Sequence, residues 1–110
     1  MGAVATRQRA AAALLSERVS DDFPDYFVYV LCNGAGTLYT GIAKDVDVRL
    51  DAHNAGKGAR FTRGRGPWNV AHIEGPLTQG DALRRETALK RDRAFKASLK
   101  ARLNTPQMRN

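Results

Sequence analysis

Arg49 and His53 stand four residues apart in "DVDVRLDAHN", a spacing that puts both on one face of a helix, roughly 40° apart around its axis. Two groups that are cationic, or can become so, repel each other at that spacing. A helix shaped for stability alone favours a carboxylate there instead. Together the pair suits an anion, a phosphate above all. Upstream, Tyr29 and Tyr39 flank the turn-like "NGAG" of Asn33 to Gly36. Downstream, Glu86 follows Leu83 by three residues in "DALRRETALKRD", on the stripe that the helical period marks as apolar. A carboxylate buried without a partner costs on the order of several kcal/mol. Glu86 therefore requires a cation: Arg49 or Lys90 in an ion pair, or a metal ion. One carboxylate suits Mg²⁺, which takes one or two and otherwise keeps water and substrate oxygens. Between these groups lies "GKGARFTRGRGP", with Lys57, Arg60, Arg63 and Arg65 spaced by glycines and no acid. Such a loop can approach a polyanion closely and release its counterions.

Elements must exist to hold these groups. "YFVYVLC", Tyr26 to Cys32, is aromatic and β-branched and reads as a strand. "NGAG" supplies residues that tolerate positive φ, so "TLYTGI", Thr37 to Ile42, is the returning strand of a hairpin. With a four-residue turn, Cys32 falls opposite Thr37, Val30 opposite Tyr39 and Tyr29 opposite Thr40. The tyrosine rings are then diagonal or on opposite faces, and a bulge decides which. Asp45 or Asp47 caps the next helix, which Gly56 stops, with Val46, Leu50 and His53 on its buried stripe. A third strand runs from Trp68 to Glu74 and ends at Gly75 and Pro76. Thr78 to Asp81 forms a capping box with Asp at its last position, and a helix follows from about Gly80 to Arg93. "AFKASLKARL" closes the domain at Leu103. His72 and Trp68 read as structural, and Cys32 as a small strand hydrophobe. The order hairpin, helix, basic loop, strand, helix, helix gives an α/β or α+β sandwich of one small sheet against helices.

The chain has 110 residues, enough for one domain with a modest core. We place that domain at residues 24–103, after a weakly ordered or helical extension (1–23) and before a short tail (104–110). Eighteen Lys and Arg against 11 Asp and Glu leave a net charge of +7. That balance favours polyanionic partners, nucleic acid ahead of an anionic membrane surface. No run approaches the roughly 18 apolar residues of a membrane span. The single cysteine excludes an internal disulfide and a cysteine-based zinc site, and a reduced, cytoplasmic protein is the simplest reading.

In this order the residues resemble the GIY-YIG nuclease superfamily, and most of all its small stand-alone bacterial members. "VYV" (Val28 to Val30) matches the first signature strand and "YTG" (Tyr39 to Gly41) the second. "DVDVRLDAHNAGKGA" matches the following helix and loop, and "ALRRETALK" the later helix. The likeness spans Tyr26 to Leu99. It implies a small three-stranded antiparallel sheet flanked by helices, and phosphodiester hydrolysis assisted by one divalent ion, Mg²⁺ or Mn²⁺. It further implies Tyr29 and Tyr39 as the signature tyrosines, Gly41 as the signature glycine, Arg49 and His53 as the helix residues, and Glu86 as the metal ligand. Phe27, Val28 and Thr40 depart from the signatures in ways a strand tolerates. No counterpart of the asparagine that many relatives carry after the glutamate helix can be identified, Lys90 and Lys96 being the nearest substitutes.

Three functions follow from this reading. The leading one is a backbone- or structure-directed endonuclease, with DNA the first-ranked target, contacted by Lys57, Arg60, Arg63, Arg65 and Lys90. The second is a nucleic-acid-binding module, for DNA or RNA, that retains the nuclease fold without useful turnover. The third is a subunit whose basic face docks an acidic protein.

Overall fold

The computed structural model describes residues 23–103, so the expected N-terminal extension and C-terminal tail lie outside the described residues. Three strands, β1 (Tyr26–Cys32), β2 (Leu38–Ala43) and β3 (Asn69–Leu77), form one antiparallel sheet in the order β2-β1-β3. Helix α1 (Val46–Asn54) follows the hairpin, and a single 3₁₀ turn (Arg60–Thr62) sits in the long loop before β3. Helices α2 (Gln79–Arg91) and α3 (Arg93–Leu103) complete the chain. The result is the α+β sandwich that the order of elements indicates.

Strand alternation divides the core into two halves. On one face Val28 and Val30 pack with Ala82, Leu89 and Leu99 of α2 and α3, joined by Leu38 and Ile42. On the other, Tyr29 and Leu31 pack with Ala43, Val46 and Trp68, joined by Tyr39 and Leu50. Burying each valine or leucine among them contributes roughly 1.5–3 kcal/mol. Asp45 caps α1, its carboxylate accepting the Val48 amide at 3.1 Å. Thr78 caps α2 by accepting from the Asp81 amide at 3.1 Å.

The hairpin register is one residue away from the four-residue turn. Cys32 pairs with Leu38, Val30 with Thr40 and Tyr29 with Gly41. Asn33 is responsible: its side-chain oxygen accepts the amides of Ala35 (3.0 Å) and Thr37 (2.8 Å), and Gly36 turns at φ +84°. The shift places Tyr39 opposite Leu31, so Tyr29 and Tyr39 share one face as a diagonal pair.

Three other expectations change. β3 does not end at Gly75 but runs on to Leu77 past a register shift. Gly75 makes this possible: it holds φ +137°, and a Cβ there would lie 2.8 Å from both the Phe27 ring and the Tyr26 carbonyl. The break expected between the last two helices falls at Asp92 rather than after Arg93, and the Asp92 carboxylate caps α3 by accepting from the Phe95 amide at 2.9 Å. On α2 the buried stripe is Ala82 and Leu89, while Leu83 is 46% exposed. Glu86 belongs to that stripe through Ala82 rather than Leu83, at i+4 instead of i+3.

Candidate active site

Helix α1 packs against β2 and delivers His53 into the face that carries the two tyrosines. His53 is 2% exposed. The Tyr29 hydroxyl lies 3.0 Å from its Nε2, and the Thr62 hydroxyl lies 2.8 Å from its Nδ1. The Tyr39 ring stands 5.1 Å from the imidazole and 6.4 Å from Tyr29, centroid to centroid. Gly41, opposite Tyr29 in the ladder, is what lets the phenol sit there. A Cβ at that position would fall 2.7 Å from the Tyr29 hydroxyl oxygen and 2.8 Å from Cζ. The glycine of the second signature is therefore a space requirement, not a turn.

Arg49 is exposed one turn before His53, and its charge reaches both groups. Burial pushes the His53 pKa below its ordinary value, and the Arg49 charge adds to the effect, so the imidazole is held neutral. Burial pushes the Tyr29 phenol above its ordinary value; Arg49 pulls it back, while Tyr39 and Glu86 push it further up. This differs from a phosphate site walled jointly by Arg49 and His53. Both ring nitrogens of His53 are engaged inside the protein, which leaves Arg49 as the anion-facing member. Repulsion between the two is settled by keeping His53 uncharged.

Glu86 approaches from α2, which packs on β1 and β2. Its side chain is half-buried at 19% exposure and pairs with Lys90 at 3.2 Å, not with Arg49. Lys90 is more than half exposed, so the pair is worth about 0–1 kcal/mol and is readily exchanged for another cation. Among the described residues no group of three His, Cys, Asp or Glu side chains forms a metal cluster. A hard ion here would depend on the single Glu86 carboxylate with water and substrate oxygens, a donor set that fits Mg²⁺ or Mn²⁺. No asparagine lies between Glu86 and Leu103. Lys96 instead donates to the Lys90 carbonyl at 2.7 Å, closing the end of α2.

The basic loop is pinned at several points. Asn54, the last residue of α1, accepts the Trp68 amide at 2.6 Å and donates to the Trp68 carbonyl at 3.1 Å. The Trp68 indole, 1% exposed, donates to the Thr62 carbonyl at 3.0 Å, and Asn33 donates to the Arg65 carbonyl at 2.8 Å. Lys57, Arg60, Arg63 and Arg65 remain exposed on this clamped frame. Arg65 lies 4.7 Å over the Phe61 ring, which stacks in turn beside Tyr39. Behind the imidazole a cleft of about 420 Å³ is lined by His53, Asn54, Thr62, Pro67 and the loop glycines.

The family model described as the GIY-YIG catalytic domain matches residues 25–98. The chain belongs to that family. UPF0213 proteins of Staphylococcus aureus strains Mu3 and Mu50 are each 43% identical to it over 65 residues, 59% of this chain and 79% of theirs. The solution NMR structure of a UPF0213 protein from Bacillus halodurans is 36% identical, covers 74% of this chain and 88% of its own, and superposes with a TM-score of 0.43. In this GIY-YIG domain, Tyr29, Tyr39, Gly41 and His53 come together on one face, with Arg49 and Glu86 within electrostatic reach of Tyr29. Thr62 and Asn54 were not evident from the sequence. A lone hydroxyl in a basic loop and an asparagine at a helix end carry no spacing signal; only the folded loop shows what they bind.

Proposed function

We propose that this GIY-YIG domain is a divalent-metal-dependent endonuclease that hydrolyses phosphodiester bonds, in DNA before RNA. It contacts the backbone or a nucleic-acid structure with little readout of sequence. The observation that carries this is the Tyr29–His53 hydrogen bond. It joins a phenol to a buried neutral imidazole beside a solvent-exposed arginine. An isolated phenol, with a pKa near 10, is a poor base at neutral pH. A phenol whose proton can pass to a neutral imidazole is a better one, and Tyr39 has no such bond to His53.

Water attacks phosphorus with its oxygen as the Tyr29 oxygen takes its proton and the phenolic proton moves to His53 Nε2. The bond between phosphorus and the leaving sugar oxygen breaks, and that oxygen takes a proton from solvent. Arg49 stabilises the charge gathered on the phosphate. Mg²⁺ or Mn²⁺ held at Glu86 would supply further charge stabilisation. The loop cations and Lys90 contact backbone phosphates and fix register rather than sequence. A reduced, cytoplasmic setting accords with this activity.

The test is nicking of a supercoiled plasmid with and without Mg²⁺. Tyr29→Phe is expected to abolish nicking and Tyr39→Phe to retain most of it; the reverse order would make Tyr39 the base. One observation favours the second reading, a binding module without turnover: Lys90 occupies the Glu86 carboxylate. That reading expects salt-sensitive DNA binding unchanged in Glu86→Ala, no Mn²⁺ bound at Glu86, and no cleavage.

A further inference from the structure

We infer that Thr62 is a positioning residue that holds His53 in the tautomer protonated at Nδ1, so that the Nε2 lone pair faces Tyr29. The shorter contacts of the hydrogen-bond chain favour this assignment. The Thr62 hydroxyl donates to the Ala59 carbonyl at 2.9 Å, so its oxygen is left to accept from His53 Nδ1 at 2.8 Å. Nε2 then carries no proton and accepts from the Tyr29 hydroxyl at 3.0 Å. The opposite tautomer would make Nε2 the donor. The Tyr29 proton would then lose this acceptor beside a guanidinium that can only donate. The Ala59 amide also donates toward Nδ1, at 3.4 Å the longest and weakest contact in the set. The assignment rests on the shorter bonds to Thr62 and Tyr29.

The surroundings hold this arrangement. Thr62 is 1% exposed, in the 3₁₀ turn whose own amide returns to the Ala59 carbonyl at 3.1 Å. The Trp68 indole donates to the Thr62 carbonyl, fixing the residue from the far side. Gly58 lies so close to the imidazole that a Cβ there would collide with Nδ1. The basic loop therefore has two separate jobs. Its cations face outward, while its buried threonine sets the direction in which His53 can take a proton. The use of that direction in phosphodiester hydrolysis rests on the proposed nuclease reading; the tautomer itself does not.

The experiment is ¹⁵N-detected imidazole NMR on the wild-type protein, Thr62→Val and Thr62→Ser, above the pH at which His53 protonates, alongside plasmid nicking. Wild type is expected to show protonated Nδ1 and bare Nε2. Thr62→Val, which keeps the shape and loses the hydroxyl, should populate the other tautomer and lower turnover about 10–100-fold, the usual range for an outer-shell orienting partner. Thr62→Ser should restore both. A wild-type His53 protonated at Nε2 would overturn the proposal, even if Thr62→Val fails to fold. So would a folded Thr62→Val with its tautomer unchanged, or a folded Thr62→Ser that behaves like the valine variant. A correct tautomer in a protein that never nicks would remove the nuclease reading and leave the positioning role intact.

Discussion

Each face of the sheet holds one histidine, and the two are wired in opposite ways. His53 is buried, lies between two neutral hydroxyls and has an arginine nearby. His72, on the face covered by α2 and α3, is part-exposed and bonds to the Glu74 carboxylate at 2.8 Å. Arg85 completes that group with two hydrogen bonds to Glu74, at 2.6 and 3.1 Å, and the Phe95 ring stands edge-on to the imidazole. A carboxylate that accepts from both a histidine and an arginine makes a closed network that ties β3 to α2. The histidine between two hydroxyls has no counter-charge. Burial and the Arg49 charge disfavour its protonated form, so it stays neutral to lower pH than a free imidazole. Residue type does not separate the two sites; their partners do.

The largest expected effect would break this comparison if it failed. Arg49→Ala and His53→Gln should each lower nicking by at least about 10²-fold, the scale of removing one transition-state contact. Circular dichroism should remain native for both. His72→Gln and Glu74→Gln should leave turnover within about twofold. Loss of activity in the second pair would move the catalytic face to α2 and α3.

Sequence pattern was enough to place the three strands and three α-helices among the described residues, though not the 3₁₀ turn or the end of β3. With the family resemblance, it also marked Tyr29, Tyr39, Arg49, His53 and Glu86. Each of these lies in a periodic element whose faces can be counted. What could not be read was decided by contacts between distant segments. Asn33 set the five-residue turn and hence which face Tyr39 occupies. Thr62 gave His53 a second partner nine residues away. The role of His53 changed most. Spacing relative to Arg49 suggested a phosphate ligand, whereas burial made it neutral and turned it toward Tyr29. The partner of Glu86 was open between Arg49 and Lys90, because helix spacing allows the local pair but does not choose it; the structure selects Lys90.

Gly41→Ala should show how little room the Tyr29–His53 face allows. The added Cβ meets the Tyr29 ring, which is held in the core and cannot swing away. Overpacking of this kind costs typically about 1–3 kcal/mol, and the displaced phenol loses its bond to His53. Chemical denaturation should show the lower midpoint and the nicking assay a parallel loss. Gly34→Ala is the control: no atom lies within 4 Å of its Cβ position, so stability should stay within about 0.5 kcal/mol of wild type.

Acid should separate the two faces by pH window. The folded pKa of His53 lies below its unfolded value of about 6.5, so the unfolded chain binds a proton first. Stability is complete above about pH 6.5 and falls as the pH drops below it, toward the folded value. Glu74 is also depressed, chiefly by the Arg85 hydrogen bonds, against burial and with help from His72. Its contribution is present above the ordinary carboxylate value of about 4.3 and is lost as the pH falls through its lower folded value. Denaturation measured from pH 7 to pH 3 should therefore lose the upper slope in His53→Gln and the lower one in Glu74→Gln. A single slope lost in both variants would mean that the faces do not titrate separately.

The smallest effects concern cations, and here the basic loop contrasts with the exposed side of α2. Arg84 and Arg85 are committed to Asp81 and Glu74. Lys57, Arg60 and Arg63 have no ion-pair partner among the described residues. A paired arginine must break its bridge before it meets a phosphate, whereas a free one only releases counterions. Each loop cation replaced by alanine should reduce the salt dependence of DNA binding by about 0.9 in the slope of log K against log salt. Arg84→Ala should change it little, because Asp81 already neutralises that charge. Fluorescence anisotropy over a salt series measures both. Equal slope changes at Arg84 and Arg60 would mean that the polyanion spreads across α2 as well, and that the loop is not a distinct docking surface.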